Sequence, residues 1–246
     1  MTPEHAAAAS KQAIERLGGA YLQCPITTRR AQQWGLSGWS YHVASRGGVL
    51  GDVPADTIAA ALGFFAPEIV RDAWEAARRV RAPQEIASQA IAECCRWGSD
   101  NLDNYPGIRR LSQLVAPVVR AIDSSGLPLF AAWRALPTPD VTPGARAAVL
   151  LHLLREYRLG AYLMAVRVGG LTPLEAIVAG PDGVEGASAL GWTAPFPAPE
   201  PLARRWVWVE AVADTLAGRP WQTLDPDERT ELAELLNDLA RRCSQI

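Results

Sequence analysis

Gly144-Ala-Arg-Ala-Ala-Val-Leu-Leu-His-Leu-Leu-Arg-Glu-Tyr-Arg-Leu-Gly-Ala-Tyr-Leu-Met-Ala-Val-Arg-Val168 is the stretch on which the fold turns. Leu150, Leu153, Leu154, Tyr157, Ala161, Met164 and Val168 recur at helical spacing and make one continuous apolar stripe. Leu151, Leu159, Leu163 and Val166 make much of the opposite face apolar as well. A helix apolar nearly all round must be covered on every side, so this segment is expected to be the central post of the fold. Gly160, in its middle, costs about 1 kcal/mol against alanine. That cost points to a close helix neighbour or to space for a ligand.

Outward from this post, strand signals are nearly absent. Alternating β-branched runs are rare, and alanine-rich segments of helical period follow one another between glycine and proline punctuation. Helices are expected at residues 4–18, 27–34, 54–64, 67–80, 83–97, 107–123, 144–168, 172–179, 202–217 and 226–243. Asp52 before Val53-Pro54, Thr172 before Pro173 and Asp225 before Pro226 each read as a cap followed by proline in the first turn. Thr193-Ala-Pro-Phe-Pro-Ala-Pro-Glu-Pro201 cannot be helical, because proline removes donors and restricts its predecessor. The expectation is an all-α chain: a helical bundle around a buried central helix, with a stiff connector before the last helices.

The totals narrow the function classes. The chain has 246 residues, 49% of them hydrophobic, enough to bury a sizeable core. A formal charge of −2 advertises no polyanionic partner in the total. Lys11 is the only lysine, every other basic residue being arginine. Cys24, Cys94, Cys95 and Cys243 show no CxxC or Cys/His spacing, so no metal site is expected. No nucleophile elbow, phosphate loop or dinucleotide fingerprint is present, and no cofactor is expected. Residues 1–11 carry no basic run leading into an apolar stretch, and no apolar segment reaches the roughly 20 residues that span a bilayer. A cytoplasmic protein with no membrane partner is expected.

Three segments carry a resemblance: Gly126-Leu-Pro-Leu-Phe-Ala-Ala-Trp-Arg-Ala-Leu-Pro137, Leu154-Arg-Glu-Tyr-Arg158 and Gly38-Trp-Ser-Tyr-His-Val-Ala-Ser-Arg-Gly47. In these the chain resembles an actinobacterial family of SCO-type helix-turn-helix proteins, over about residues 20–192 and again over about 202–240. The resemblance implies a helical N-terminal body and a winged-helix-like C-terminal part. It divides the chain into a body with a candidate ligand pocket (1–192), the proline-rich connector (193–201) and a C-terminal helical remnant (202–246). Where family members read Leu-Arg-Glu-His-Arg-Gly-Asp-Gly-His, this chain has Tyr157 and Tyr162 for the histidines and Gly160 for the aspartate. Trp133 stands at a family Asn, and Phe64 and Ala66 flank Phe65 where the family has Asn and His. Polar positions have thus moved towards aromatic or small apolar groups.

In the family a Gly-Trp pair opens a recognition helix and wing. Here Gly191-Trp192 leads straight into the proline-rich connector, so the resemblance implies that this element is deleted. Arg204-Arg205 and Arg241-Arg242 remain, pairs typical of solvated helix faces. No nucleic-acid partner is therefore expected. The expected partner is an apolar small molecule, polyketide- or terpenoid-like, bound by a protein of bacterial specialised metabolism. Trp39, Tyr41, His42, Arg46, Phe64, Trp133 and Arg158 are the candidate binding residues, with Phe65 read as core. Tyr157 and Tyr162 are candidate oxyanion donors for a cofactor-free cyclisation or isomerisation. Glu156, if an apolar cavity raises its pKa, is the candidate acid or base; an ion pair with Arg155, Arg158 or another arginine is its competing role. His152 reads as a satisfied, partly buried core histidine. A non-catalytic binding or sequestration protein and a ligand-responsive transcriptional regulator are the alternatives. Trp206 and Trp208 are candidates for a homodimer interface or for core.

Overall fold

A computed structural model describes residues 1–137 and 142–243. Among them the chain forms fourteen α-helices and no strand. These are α1 (Pro3–Ala9), α2 (Lys11–Gln23), α3 (Pro25–Gln33), α4 (Gly38–Gly47), α5 (Ala55–Leu62), α6 (Pro67–Arg78) and α7 (Pro83–Leu102). They continue with α8 (Ile108–Arg120), α9 (Pro128–Ala135), α10 (Pro143–Val168), α11 (Pro173–Ala179), α12 (Gly183–Ala189), α13 (Ala203–Gly218) and α14 (Pro226–Cys243). Short 3₁₀ turns follow α4 (Gly48–Leu50) and α13 (Arg219–Thr223).

α10 is the central post. It packs on α2, α7, α8, α9, α11 and α13, and its residues are buried on nearly all sides. Its closest crossings use glycine to bring backbones together. A Cβ on Gly98 of α7 would stand 2.5 Å from the Gly144 carbonyl oxygen and 2.7 Å from the Ala148 Cβ. Gly18 of α2 meets the Leu151 carbonyl oxygen in the same way, at 2.5 Å. Gly98→Ala is therefore expected to lower the unfolding free energy by about 1–3 kcal/mol, as overpacking of a close-packed core does. A lowered denaturant midpoint with an unchanged m-value is the signature to look for; an unchanged midpoint would mean that the crossing yields freely.

The main core gathers residues from α1 to α10 and from α14, with Trp74 and Trp221 among its largest buried side chains. A smaller cluster joins Phe64, Val166, Leu171, Leu202 and Val209 around the C-terminal end of α10. α13 and α14 are thereby sewn onto α1, α2, α8 and α10. The segment Thr193–Pro201 before them is without helix, as its prolines require.

Several local expectations need correcting. The N-terminal helix is two helices broken at Ser10, whose hydroxyl donates back to the Ala6 carbonyl (2.8 Å). Asp52 is no cap: α5 starts at Ala55, and Asp52 pairs with Arg78 at 2.7 Å. Thr172 and Asp225 do cap, Thr172 in a full capping box with Glu175 and Asp225 by accepting from the Glu228 N–H (2.8 Å). Helices α4, α9 and α12 were not among the expected ones. α4 and α12 are rich in glycine and serine, weak helix formers; in α4 a capping box and a largely buried C-terminal half offset this.

No single helix among the described residues is long and apolar enough to cross a membrane. Val168, Val207 and Trp208 are exposed together where the start of α13 passes over Gly169.

Candidate functional site

A cleft of about 720 Å³ lies between α4, α5, the start of α9 and α10. That is the size of a pocket for a drug-sized molecule. From α10 it takes Glu156, Leu159, Gly160, Leu163 and Met164, which stand at i, i+3, i+4, i+7 and i+8 and so share one face. Leu62 and two alanines of α5, with Leu127, Leu129 and Phe130 at the start of α9, complete apolar walls. Asp56, Thr57 and Ala60 form an exposed rim. Gly160 lines the cleft and also receives the Leu127 side chain where its own Cβ would stand. The close neighbour at this glycine is thus a leucine of the loop before α9 and not a helix.

The polar floor of the cleft is the ion pair of Arg46 and Glu156. Arg46 donates through Nε (3.0 Å) and Nη2 (2.9 Å) to the two carboxylate oxygens, and Arg155 donates to Oε1 at 3.0 Å. The side chains of Arg46 and Glu156 are 3% and 1% exposed, so this fork is dry. Burial by itself raises the Glu156 pKa. Arg46, His152 and Arg155 outweigh burial and hold it down to about 2. The carboxylate is ionised at neutral pH and does not serve as the general acid that a raised pKa would have made it.

The buried cluster extends away from the cleft. The Trp133 indole donates to the Arg46 carbonyl (3.2 Å) and meets the His152 ring edge-on at 4.4 Å. His152 is fully buried, with Nδ1 3.3 Å from the Gly18 carbonyl. A carbonyl only accepts, so Nδ1 carries the proton and Nε2 is left unpartnered. Burial lowers its pKa to about 4, and that of His42 to about 3. His42 sits in an aromatic group with Trp39 and Phe65, ring centroids 5.3 to 6.0 Å apart. Its Nε2, like the hydroxyls of Tyr21 and Tyr41, has no partner. Burial pushes both tyrosines well up.

The remaining candidates lie elsewhere around α10. The Tyr157 hydroxyl donates to the Leu216 carbonyl at 2.6 Å, fastening α13, and burial raises its pKa to about 12. Tyr162 stacks on Phe64, ring centroids 5.3 Å apart, with the Lys11 ammonium over its ring. Arg158 donates to the Ala7 carbonyl (3.0 Å) and to Asp214 (2.8 Å), tying α1 and α13 to α10. Of the ten residues singled out in the sequence, the cleft therefore collects Arg46 and Glu156. Its other walls are mostly aliphatic, with Phe130 the one aromatic among the lining residues, and their one advance signal was the second apolar face of α10 with Gly160 at its centre.

Among the described residues no group of three or more His, Cys, Asp or Glu could hold a metal ion, and the four cysteines are free thiols.

Beyond the end of α10, α11 and α12 pack together across a three-residue turn, Gly180-Pro181-Asp182. This is a short helix–turn–helix, and the Trp192 indole fastens its C-terminal end by donating to the Phe64 carbonyl (2.9 Å). Comparison with known proteins finds no match among curated proteins and none among solved structures. A family model described as a helix-turn-helix family matches residues 7–245. That match overturns the expectation of a protein without a nucleic-acid partner, because the motif that names the family is one by which proteins enter the major groove of DNA. By this match over nearly all its length, the chain belongs to that helix-turn-helix family.

Proposed function

We propose that the protein is a ligand-responsive transcriptional regulator, which contacts duplex DNA and takes an apolar small molecule into the cleft above the Arg46–Glu156 pair. The observation that carries this reading is the family match over residues 7–245. The cleft supports the ligand half: its volume suits a small metabolite and its walls are largely apolar. α5, which forms one wall, also packs on α4, α6 and α9, so a molecule wedged beneath it presses on several elements at once.

Selection from a random duplex pool at low salt tests the DNA half; enrichment of a shared sequence is expected, and failure to retain any duplex would overturn it. The ligand half is tested with the dye 1-anilinonaphthalene-8-sulfonate. Its fluorescence is expected to rise on binding, and Ala61→Trp, which fills the cleft from α5, to weaken binding more than about tenfold. Equal binding by that variant would place the dye elsewhere.

Cofactor-free cyclisation or isomerisation in the same cleft is a second reading. What favours it is the same apolar cleft, whose volume suits a substrate of that size. Turnover of a polyketide-like substrate by the purified protein, lost in Ala61→Trp, is the result it requires.

A further inference from the structure

The helix–turn–helix pair poses a charge problem. α11 and α12 contain no lysine or arginine, and they carry Glu175 and Glu185. Affinity for duplex DNA comes largely from cations that neutralise phosphates and release their counterions. With a formal charge of −2 on the whole chain, those cations must be concentrated on some other face.

One face has them. A groove of about 580 Å³ runs between α8 and the start of α10, lined by Arg109, Ser112, Gln113, Arg120 and Arg146, with Ala116 and Pro143. Arg109, Gln113, Ala116 and Arg120 recur at helical spacing, so they form one stripe along α8; Arg146 stands on the other wall. Among the described residues no carboxylate lines the groove. The three arginines are exposed, and none of their side chains makes a hydrogen bond or ion pair among the described residues. Their neighbour Arg110 shows the contrast: it is bound to Glu231 at 2.6 Å.

A second observation points into the same groove. Ser112 is only 7% exposed, and its hydroxyl is buried without a partner. A serine within a helix ordinarily satisfies itself on the carbonyl one turn back, as Ser88 does on Gln84 (2.8 Å) in α7. Ser112 lines the groove beside the arginines, and its hydroxyl finds no acceptor among the described residues.

We propose that this groove holds the phosphate backbone of duplex DNA, with Arg109, Arg120 and Arg146 as the neutralising cations and the Ser112 hydroxyl donating to a phosphate oxygen. The inference rests on the regulator reading and adds to it the surface that supplies affinity. Arg109 and Arg120 are eleven residues apart, about 16 Å along the helix axis. Duplex DNA carries a charge every ~1.7 Å of its axis, so a polymer meets the whole stripe at once, whereas a single phosphate group would meet part of it. Such contacts bind backbone without reading sequence, which leaves base recognition to other elements.

The test is binding of a mixed-sequence duplex by fluorescence anisotropy across a salt series. Each phosphate contact contributes about 0.9 to the slope of log K against log salt, so the three arginines together account for about 40-fold in affinity between 50 and 200 mM. The triple variant R109Q/R120Q/R146Q is expected to lose that much of the slope. The charge-matched variant R16Q/R29Q/R79Q, also at exposed positions, is expected to keep it. S112A is expected to weaken binding at every salt concentration while leaving the slope alone. Circular dichroism of each variant reports that the fold is retained. If the wild type binds duplex and the triple variant keeps its slope, the groove is not the phosphate site and the regulator reading stands. If the wild type binds no duplex at 50 mM salt, both fall together.

Discussion

Glu156→Ala is expected to lower the unfolding free energy by about 3–5 kcal/mol, the range for removing one partner of a buried ion pair. The cost comes from the groups left behind. Arg46 is 3% exposed and Arg155 16%, and both direct a guanidinium at the same carboxylate. Without it two like charges face each other in the dry centre of the fold, and α4 loses its fork onto α10. A domain of this kind is stable by about 5–15 kcal/mol in all, so one substitution consumes a large share. The pair itself is a different matter, since taking two charges out of water costs several kcal/mol per ion. R46M/E156M, which removes both, is accordingly expected to be less destabilised than Glu156→Ala alone. Urea unfolding of the single and double variants measures this; a double variant as unstable as the sum of its singles would show that the two groups do not couple.

Acid is expected to unfold the protein from an unusually high pH. His152 is held neutral with a pKa of about 4, against about 6.5 in the unfolded chain. Between those values the unfolded chain binds a proton that the folded protein refuses, so stability falls as pH falls through the window from 6.5 to 4. By pH 4.5 His152 alone removes about 3 kcal/mol, at about 1.4 kcal/mol per pH unit. His42, whose pKa burial lowers to about 3, adds to the loss in the same direction. Glu156 acts later with the same sign: its folded pKa of about 2 lies below the ordinary carboxylate value, so its contribution is full above about 4.5 and disappears between there and 2. His152→Gln is the control, because it keeps a donor for the Gly18 carbonyl and removes the titrating group. The variant is expected to lose less stability between pH 7 and pH 5 than the wild type. A slope identical in both would assign the acid sensitivity to other groups.

The central helix was legible because its information is local. An apolar pattern running round the whole circumference of residues 144–168 has one physical solution, burial on every side, and α10 spans Pro143–Val168. The proline-punctuated starts at Thr172 and Asp225 were legible for the same reason, since a cap involves residues within one turn. Helices α4, α9 and α12 were not, because they are short, the first and last are rich in weak helix formers, and their contacts reach residues far away in the chain. The Trp133 indole on the Arg46 carbonyl, 87 residues away, is one such contact.

The candidate site divides along the same line. Arg155 as a partner for Glu156 was readable from its place next to it in the chain, but that the second partner is Arg46 of α4, 110 residues away, belongs to the tertiary structure. Aromatic residues stand out in a sequence, but Trp39, Trp133, Tyr157 and Phe64 lie outside the cleft, whose walls are mostly leucines and alanines that look like any core. The stripe of Arg109 and Arg120 was written in the spacing of α8. That Arg146 faces it across a groove, above a serine with no partner, was not. The sequence by itself determined that the chain is helical and that residues 144–168 stand at its centre, since periodicity and capping act within a few residues. Which charges are buried together, where a cavity is left and which cations stay free depend on how helices far apart in the chain cross one another, and only the tertiary structure decided those.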